Sequence, residues 1–178
     1  MIDLVFETHA TSVDNEAGLA SGQLDVPLSE SGERQAVELG ARYRTEEFHT
    51  VFCSDLQRAY RTAEIAFNGR RFPIIRDARL REIDFGGMTR SAGQDIELTR
   101  TLYIEEAYPD GESYVQVTQR VSKWLDDLSQ RYQAGKVMLI AHRAEFYSLE
   151  HLLGGRPLYD VISAPWKWQP GWIYKLHA

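Results

Sequence analysis

The sequence has a single cysteine and no excess of positive charge. Cys53 cannot form an internal disulfide, and because it follows Val51 and Phe52 it is predicted to be a small core side chain. Acidic residues outnumber lysine and arginine by 26 to 20, which gives a net charge of −6 and argues against a general nucleic-acid binder. Any phosphate that the protein binds would therefore be held by a local basic pocket.

The sequence also lacks a long apolar run and a basic leader followed by an apolar stretch. With the unpaired cysteine, these absences predict a protein of the reducing cytoplasm that does not enter a membrane. The 178 residues, 43% of them hydrophobic, suffice for a substantial core, and no repeat or linker divides them. We therefore expect one domain over residues 1–178.

Strand-like and helix-like segments alternate along the chain. The strand-like runs lie near residues 2–6, 50–53, 72–75, 136–141 and 172–176. Such βαβ alternation predicts an α/β fold, a three-layer αβα sandwich with a mainly parallel sheet and helices on both faces.

Helical patterns separate most of these strands. Ser31 precedes the first pattern and Ser54 is the predicted N-cap of the second. A long helix is predicted from about residue 112 to 132, and a shorter one begins near Ala144. Residues 79–108 are less regular and are expected to cover the crevice at the sheet edge as a loop and helix.

Two histidines, His9 and His142, follow predicted strands directly. The run 137–141 before His142 is apolar at every position, as expected for a parallel strand covered on both faces. In open α/β sheets, ligands bind outside the carboxyl ends of the strands, so the two imidazoles are expected to share one site. For either histidine alone, a capped or solvated loop position is the alternative.

Arg58 is expected at the same edge, because it lies on the first turn of the second predicted helix. Helix N-termini and arginine side chains both bind phosphate, so Ser54 and Arg58 predict an anion site. The alternative is that Ser54 only caps the helix and that Arg58 pairs with Asp55 or Glu64 on its surface.

Several segments, in this order along the chain, resemble the motifs of one known family. They are Leu4–Ser12 with Asn15, Ser21–Ser29, Cys53–Ala59, Leu80–Glu82 with Phe85 and Gly86, Tyr108–Ser113, and Ile140–His142. The family is the histidine phosphatase superfamily, with the phosphoglycerate-mutase-like fold, and the resemblance covers nearly the whole chain.

The resemblance implies phosphoryl transfer without a metal or another cofactor. His9 would be the nucleophile and form a phosphohistidine that water hydrolyses. Arg58 would bind the equatorial oxygens, and His142 would stabilise the charge on the transferred group. Glu82 would be the general acid that protonates the leaving alcohol.

The same resemblance places further polar residues in the substrate pocket. Ser12 and Asn15 would donate neutral hydrogen bonds to the phosphate or the substrate. Ser21 and Gly22 belong to the stretch that follows the first motif, and they complete the predicted binding set.

The first motif departs from the family pattern at Thr8, which replaces the family's arginine. By analogy with the loss of an oxyanion donor, the missing cation would cost about 2–4 kcal/mol of transition-state stabilisation. Arg143, directly after the second histidine, is predicted either to restore that cation or to face solvent on the next helix turn. Both interpretations stay open at the level of sequence.

The leading functional hypothesis is a phosphatase that acts on a small phosphomonoester. A phosphoglycerate-mutase-type phosphotransferase is disfavoured, because such family members tend to be longer, and a non-catalytic phosphate-binding pseudoenzyme is the alternative from another class. A metal site at the two histidines is weaker still, since no short ligand spacing occurs. The expected partner is a small phosphorylated molecule, with neither nucleic acid nor membrane, and a homodimer is left open.

Four aromatic residues crowd the C-terminal segment: Trp166, Trp168, Trp172 and Tyr174. They are able to line a ligand pocket or an oligomer interface. Because Trp172 and Tyr174 alternate along the last predicted strand, a core position is favoured for these two.

Overall fold

A five-stranded sheet forms the centre of the protein in a computed structural model that describes residues 1–177. The strands are β1 (Ile2–Thr8), β2 (Thr50–Ser54), β3 (Ile74–Asp77), β4 (Gly135–Ala141) and β5 (Trp172–Leu176). Their order in the sheet is β3-β2-β4-β1-β5; the first four are parallel, and β5 pairs antiparallel with β1. The predicted α/β class with a mainly parallel sheet is confirmed.

Helices pack on both faces of this sheet. They are α1 (Val13–Glu16), α2 (Glu30–Arg42), α3 (Gln57–Ala66), α4 (Gly93–Thr99), α5 (Tyr114–Arg131), α6 (Arg143–Leu152) and α7 (Leu158–Ser163). Within residues 1–177, no helix is long and apolar enough to cross a membrane.

Two helices begin at positions other than those expected from Ser31 and Ser54. The N-cap of α2 is Ser29, whose hydroxyl accepts a hydrogen bond from Gly32 N at 3.1 Å, rather than Ser31. Ser54 is the last residue of β2, and α3 begins three residues later at Gln57, with Leu56 as its N-cap. The Ser54 hydroxyl instead accepts from Leu56 N at 3.2 Å and so shapes the turn from strand to helix.

Strand side chains alternate between two apolar clusters, because successive residues of a strand point to opposite faces. Leu4 and Phe6 belong to the cluster that contains the buried apolar stripe of α5. Val5 belongs to the other cluster, with Leu39 of α2 and Ala63 of α3. Cys53 is fully buried there as predicted, and burial raises the pKa of its thiol to about 12.

The carboxyl ends of β1 and β4 lie side by side in the middle of the sheet, with Thr8 opposite Ala141. The residue after β1 stays in register, since His9 N donates to Ala141 O at 2.9 Å. Residues 79–108 form 3-10 turns and α4 outside the sheet, as expected, and part of this segment lines the cleft at the strand ends.

Candidate active site

The two histidines that follow β1 and β4 lie next to each other. The ring centres of His9 and His142 are 4.9 Å apart, and the planes are inclined by 61°. His9 Nδ1 is 2.7 Å from the carbonyl oxygen of Ala10. A carbonyl only accepts, so Nδ1 carries the proton and Nε2 keeps its lone pair.

Both imidazoles are neutral in this environment. Burial, with the nearby Arg58 charge, lowers the pKa of His9 to about 3. The same two causes lower the pKa of His142, which is 1% exposed, well below its ordinary value. Neither ring nitrogen of His142 has a hydrogen-bond partner within residues 1–177, so an oxygen-rich ligand would supply one.

Arg58 supplies a buried cation on the first turn of α3. It is 2% exposed, and its Nη1 and Nη2 donate to Leu24 O at 2.9 Å and Gly22 O at 2.6 Å. The alternative pairing with Asp55 or Glu64 is wrong, because these carboxylates bind other arginines of α3, β3 and the following loop. Within the described residues 1–177, Arg58 contacts carbonyl oxygens and forms no direct ion pair.

The backbone at Gly22 has a conformation and close neighbours that only glycine accommodates. Its φ is +53°, and a Cβ there would lie 3.0 Å from the Phe85 ring and 3.1 Å from Ile83 O. A side chain would therefore displace the carbonyl that holds Arg58. Ser21, next to it, is buried, and its hydroxyl donates to Asp14 Oδ2 at 3.1 Å.

Glu82 reaches the same site from the loop after β3. Its carboxylate accepts from Ile83 N at 2.9 Å and, at the start of α6, from Ala144 N at 3.2 Å and Arg143 N at 3.3 Å. Helix N-termini favour negative groups, so the first turn of α6 holds this carboxylate beside His142.

Arg120 and Glu145 form a supporting network that sequence analysis missed. Glu145 is fully buried; it accepts from His142 N at 3.2 Å and from Arg120 Nη1 at 3.0 Å. Arg120 also donates to Glu82 O at 3.2 Å. The position of Glu145, three residues after the helix N-cap, is a capping-box signal that could have identified it.

A cleft of about 270 Å³ opens at these strand ends. Most of the predicted site residues line it: Thr8, His9, Asn15, Ser21, Gly22, Arg58, Glu82 and Arg143. Ser12 lies outside the cleft, fully buried, where its hydroxyl caps α1 by accepting from Asn15 N at 3.2 Å. In residues 1–177, no three His, Cys, Asp or Glu side chains are grouped to hold a metal ion.

The cleft has lining residues that the sequence did not predict. They include Glu97 and Arg100 from the irregular segment and Tyr147 from α6, whereas Trp166, which also lines the cleft, is one of the aromatic residues named above for a pocket or an interface. Glu97 is an ion-pair partner of Arg143, with Oε2 and Nη1 2.8 Å apart. Arg143 thus lies in the pocket, but its charge is already bound.

The remaining aromatic residues of the C-terminal segment divide between a cleft and the core. Trp168 lines a second cleft, of about 360 Å³, which also includes Thr8 and His9. Tyr174 is buried and Trp172 packs against the core, 5.6 Å from the Phe6 ring centre, as predicted for these two.

Comparison with known proteins adds to this geometry. The family model described as histidine phosphatase superfamily (branch 1) matches residues 4–168. "Uncharacterized phosphatase PhoE" of Bacillus subtilis is 33% identical over 76% of this chain and 69% of its own. "Probable phosphoglycerate mutase GpmB" of Klebsiella pneumoniae is 30% identical over 97% of this chain and 91% of its own.

Solved structures share the fold over most of the chain. The structure titled "Bacillus stearothermophilus YhfR" has a TM-score of 0.86 at 27% identity and covers 97% of this chain and 90% of its own. The structure of "mycobacterial glucosyl-3-phosphoglycerate phosphatase Rv2419c" with VO3 has a TM-score of 0.80 at 27% identity, with 92% and 87% covered.

Proposed function

This chain belongs to the histidine phosphatase superfamily, and from that premise we propose that it is a phosphatase that releases inorganic phosphate from a small phosphomonoester. The observation that carries the proposal is the His9 ring, which donates from Nδ1 to Ala10 O and has no partner for Nε2 among residues 1–177, in a cleft that buried Arg58 also lines. A neutral imidazole with a free lone pair beside a cation is suited to attack phosphorus.

In the proposed first step, His9 Nε2 forms a bond to phosphorus while the bond to the ester oxygen breaks. Arg58 stabilises the negative charge on the equatorial oxygens. His142, neutral and without a hydrogen-bond partner in the described part of the chain, donates its single ring N–H to the same group.

The leaving oxygen requires a proton, and Glu82 is the proposed donor. Its carboxyl group lines the cleft, next to the backbone N–H groups that start α6. After the alcohol departs, the deprotonated Glu82 takes a proton from water, which attacks the phosphohistidine and restores His9. The products are the alcohol and inorganic phosphate.

Phosphoryl transfer to a second substrate is the closest alternative to hydrolysis. One relative is named a probable phosphoglycerate mutase, and this chain spans 91% of its length. Length therefore does not separate the two activities in this case, contrary to the expectation from the sequence. The distinction rests on whether water or a second alcohol receives the phosphoryl group.

A screen of phosphorylated metabolites for phosphate release tests the proposal, with His9→Gln as the inactive control. We expect release from at least one phosphomonoester by the parent chain, none by His9→Gln, and a phosphohistidine in the parent on rapid acid-free quenching and mass spectrometry. Phosphate release by His9→Gln equal to the parent would contradict the mechanism. A phosphohistidine without phosphate release, discharged by an added phosphoglycerate, would favour the mutase.

A further inference from the structure

Arg143 lies in the cleft with its guanidinium bound to Glu97. Nη1 is 2.8 Å from Oε2, and Nη2 donates to Oε1 at 3.2 Å. The guanidinium is also 5.1 Å from the ring centre of Trp166 and 5.4 Å from that of Tyr147. Nε of Arg143 is buried and has no hydrogen-bond partner in residues 1–177, so Glu97 does not use all of its donors.

Glu97 has a second cationic partner, Arg100, which is only 5% exposed. Arg100 is fixed by two carbonyl oxygens, since Nε donates to Ile162 O at 2.6 Å and Nη2 to Ala164 O at 3.0 Å. If Arg143 moves away, Glu97 still faces a cation that cannot follow. Release of Arg143 therefore leaves no unpaired carboxylate.

The Glu97 contact with Arg143 is also weak enough to exchange. Their side chains are 40% and 30% exposed, and ion pairs with that exposure add little stability because water screens them. A phosphomonoester brings close to two negative charges and three acceptor oxygens, whereas a carboxylate brings one charge and two oxygens. A bound phosphoryl group is thus the stronger partner for a guanidinium.

We propose that Glu97 is an exchangeable counter-ion of Arg143, and that Arg143 moves from Glu97 to the phosphoryl group of the bound substrate. Glu97 then determines how tightly the cleft binds phosphate, because it competes for the cation. This inference rests on the proposed function, which places the phosphoryl group beside His9. It also explains how Arg143 can supply the cation that is missing at Thr8, although Arg143 is paired with Glu97 in this structure.

Calorimetric titration with inorganic phosphate tests the inference without turnover. Glu97→Gln removes the competing charge and should tighten phosphate binding on the order of tenfold, as expected for one charge-assisted contact. Asp95→Asn is the matched control, since it removes one charge from an exposed position of the same helix, and it should leave affinity nearly unchanged. In an Arg143→Ala background, Glu97→Gln should no longer tighten binding.

The outcomes separate this inference from the phosphatase proposal. Weaker or unchanged phosphate binding in Glu97→Gln, equal tightening in Asp95→Asn, or no binding in any variant would overturn the counter-ion role. Tighter binding in Glu97→Gln without phosphate release from any phosphomonoester would retain the counter-ion and reject the phosphatase. Phosphate release from a phosphomonoester without tighter phosphate binding in Glu97→Gln would retain the phosphatase and reject the counter-ion role.

Discussion

Glu82 is the single residue whose proposed role depends most on the leaving group of the substrate. Glu82→Gln keeps a hydrogen-bonding side chain at the start of α6 but cannot donate a carboxyl proton. We expect a loss on the order of a hundredfold or more on an alkyl phosphate and a much smaller loss on p-nitrophenyl phosphate, whose leaving group needs little protonation. Steady-state rates on both substrates measure this, and an equal loss on both would assign Glu82 to binding.

Variants at Thr8 and Arg143 test whether Arg143 supplies the cation that the family has at the position of Thr8. Arg143→Ala should lower activity by a factor on the order of a hundred, as expected for loss of a charge-assisted transition-state contact. Thr8→Arg in that background should recover part of the loss, because it returns a cation to a position that lines the same cleft. Thr8→Arg in the parent chain should add nothing or crowd Arg143.

Thr8→Ala serves as the control for the size of the Thr8 side chain. Undiminished activity in Arg143→Ala would show that Arg143 does not contact the phosphoryl group. Higher activity in the Thr8→Arg single variant would show that the parent pocket lacks a cation.

Residues of the site could be predicted from sequence where they directly follow an apolar run that forms a strand. His9 and His142 follow apolar runs, and the structure brings them together because β1 and β4 are neighbours in the sheet. Glu97 and Arg100 carry no such signal, since Glu97 lies on a short helix that ends just before Arg100, and its partner Arg143 lies on a distant segment. Their contact is set by how residues 79–108 fold over the cleft.

At the scale of secondary-structure elements, the starts of α5 and α6 were predictable to within two residues, but the capping residues of α2 and α3 were not. Ser29 and Ser31 both precede the pattern of α2, and sequence alone does not say which hydroxyl accepts from the first turn. In the structure, Ser31 donates to Glu16 Oε1 instead. Ser54 resembles an N-cap by residue type, but pairing of β2 with β3 extends through it and delays α3.

Arg120 connects α5 to α6 and to the Glu82 loop, so its replacement tests how these elements hold the site together. Arg120→Met leaves Glu145 buried without its cation, and loss of one partner of a buried ion pair costs about 3–5 kcal/mol. Burial already raises the pKa of Glu145 well above its ordinary value, so part of this cost is avoided by protonation. We expect a decrease of about 3 kcal/mol in the free energy of unfolding in urea.

The double variant Arg120→Met with Glu145→Gln supplies the control for this pair. It removes both charges of the pair, so it should be more stable than Arg120→Met alone, because the fully buried carboxylate no longer remains without its cation, while the loss of the Glu112 contact is common to both variants. Equal stability of the single and double variants would show that the other contacts of Arg120, with Glu112 and with carbonyl oxygens, support the loop rather than its ion pair with Glu145.

At the scale of the whole molecule, the imidazoles of His9 and His142 make stability depend on pH. The pKa of His9 falls from an ordinary value of 6.5 to about 3 in the folded chain, and that of His142 is also lowered. Below pH 6.5 the unfolded chain therefore binds more protons than the folded chain. The stability that comes from neutral histidines is fully present above pH 6.5 and is lost as the pH falls toward 3.

Urea unfolding between pH 7.5 and pH 4.5 measures this dependence. One proton taken up on unfolding gives a slope of up to about 1.4 kcal/mol per pH unit, so the parent chain should lose stability steeply below pH 6.5. His9→Gln removes one titrating group and should flatten the slope. Carboxylates whose pKa values are lowered, such as Asp77, contribute equally to the slopes of both chains, so their contribution cancels in the difference. His177→Gln, an exposed position, is the matched control and should leave the slope unchanged. Parallel curves for the parent and His9→Gln would mean that His9 titrates normally in the fold, and its imidazole would then not be the preformed neutral nucleophile.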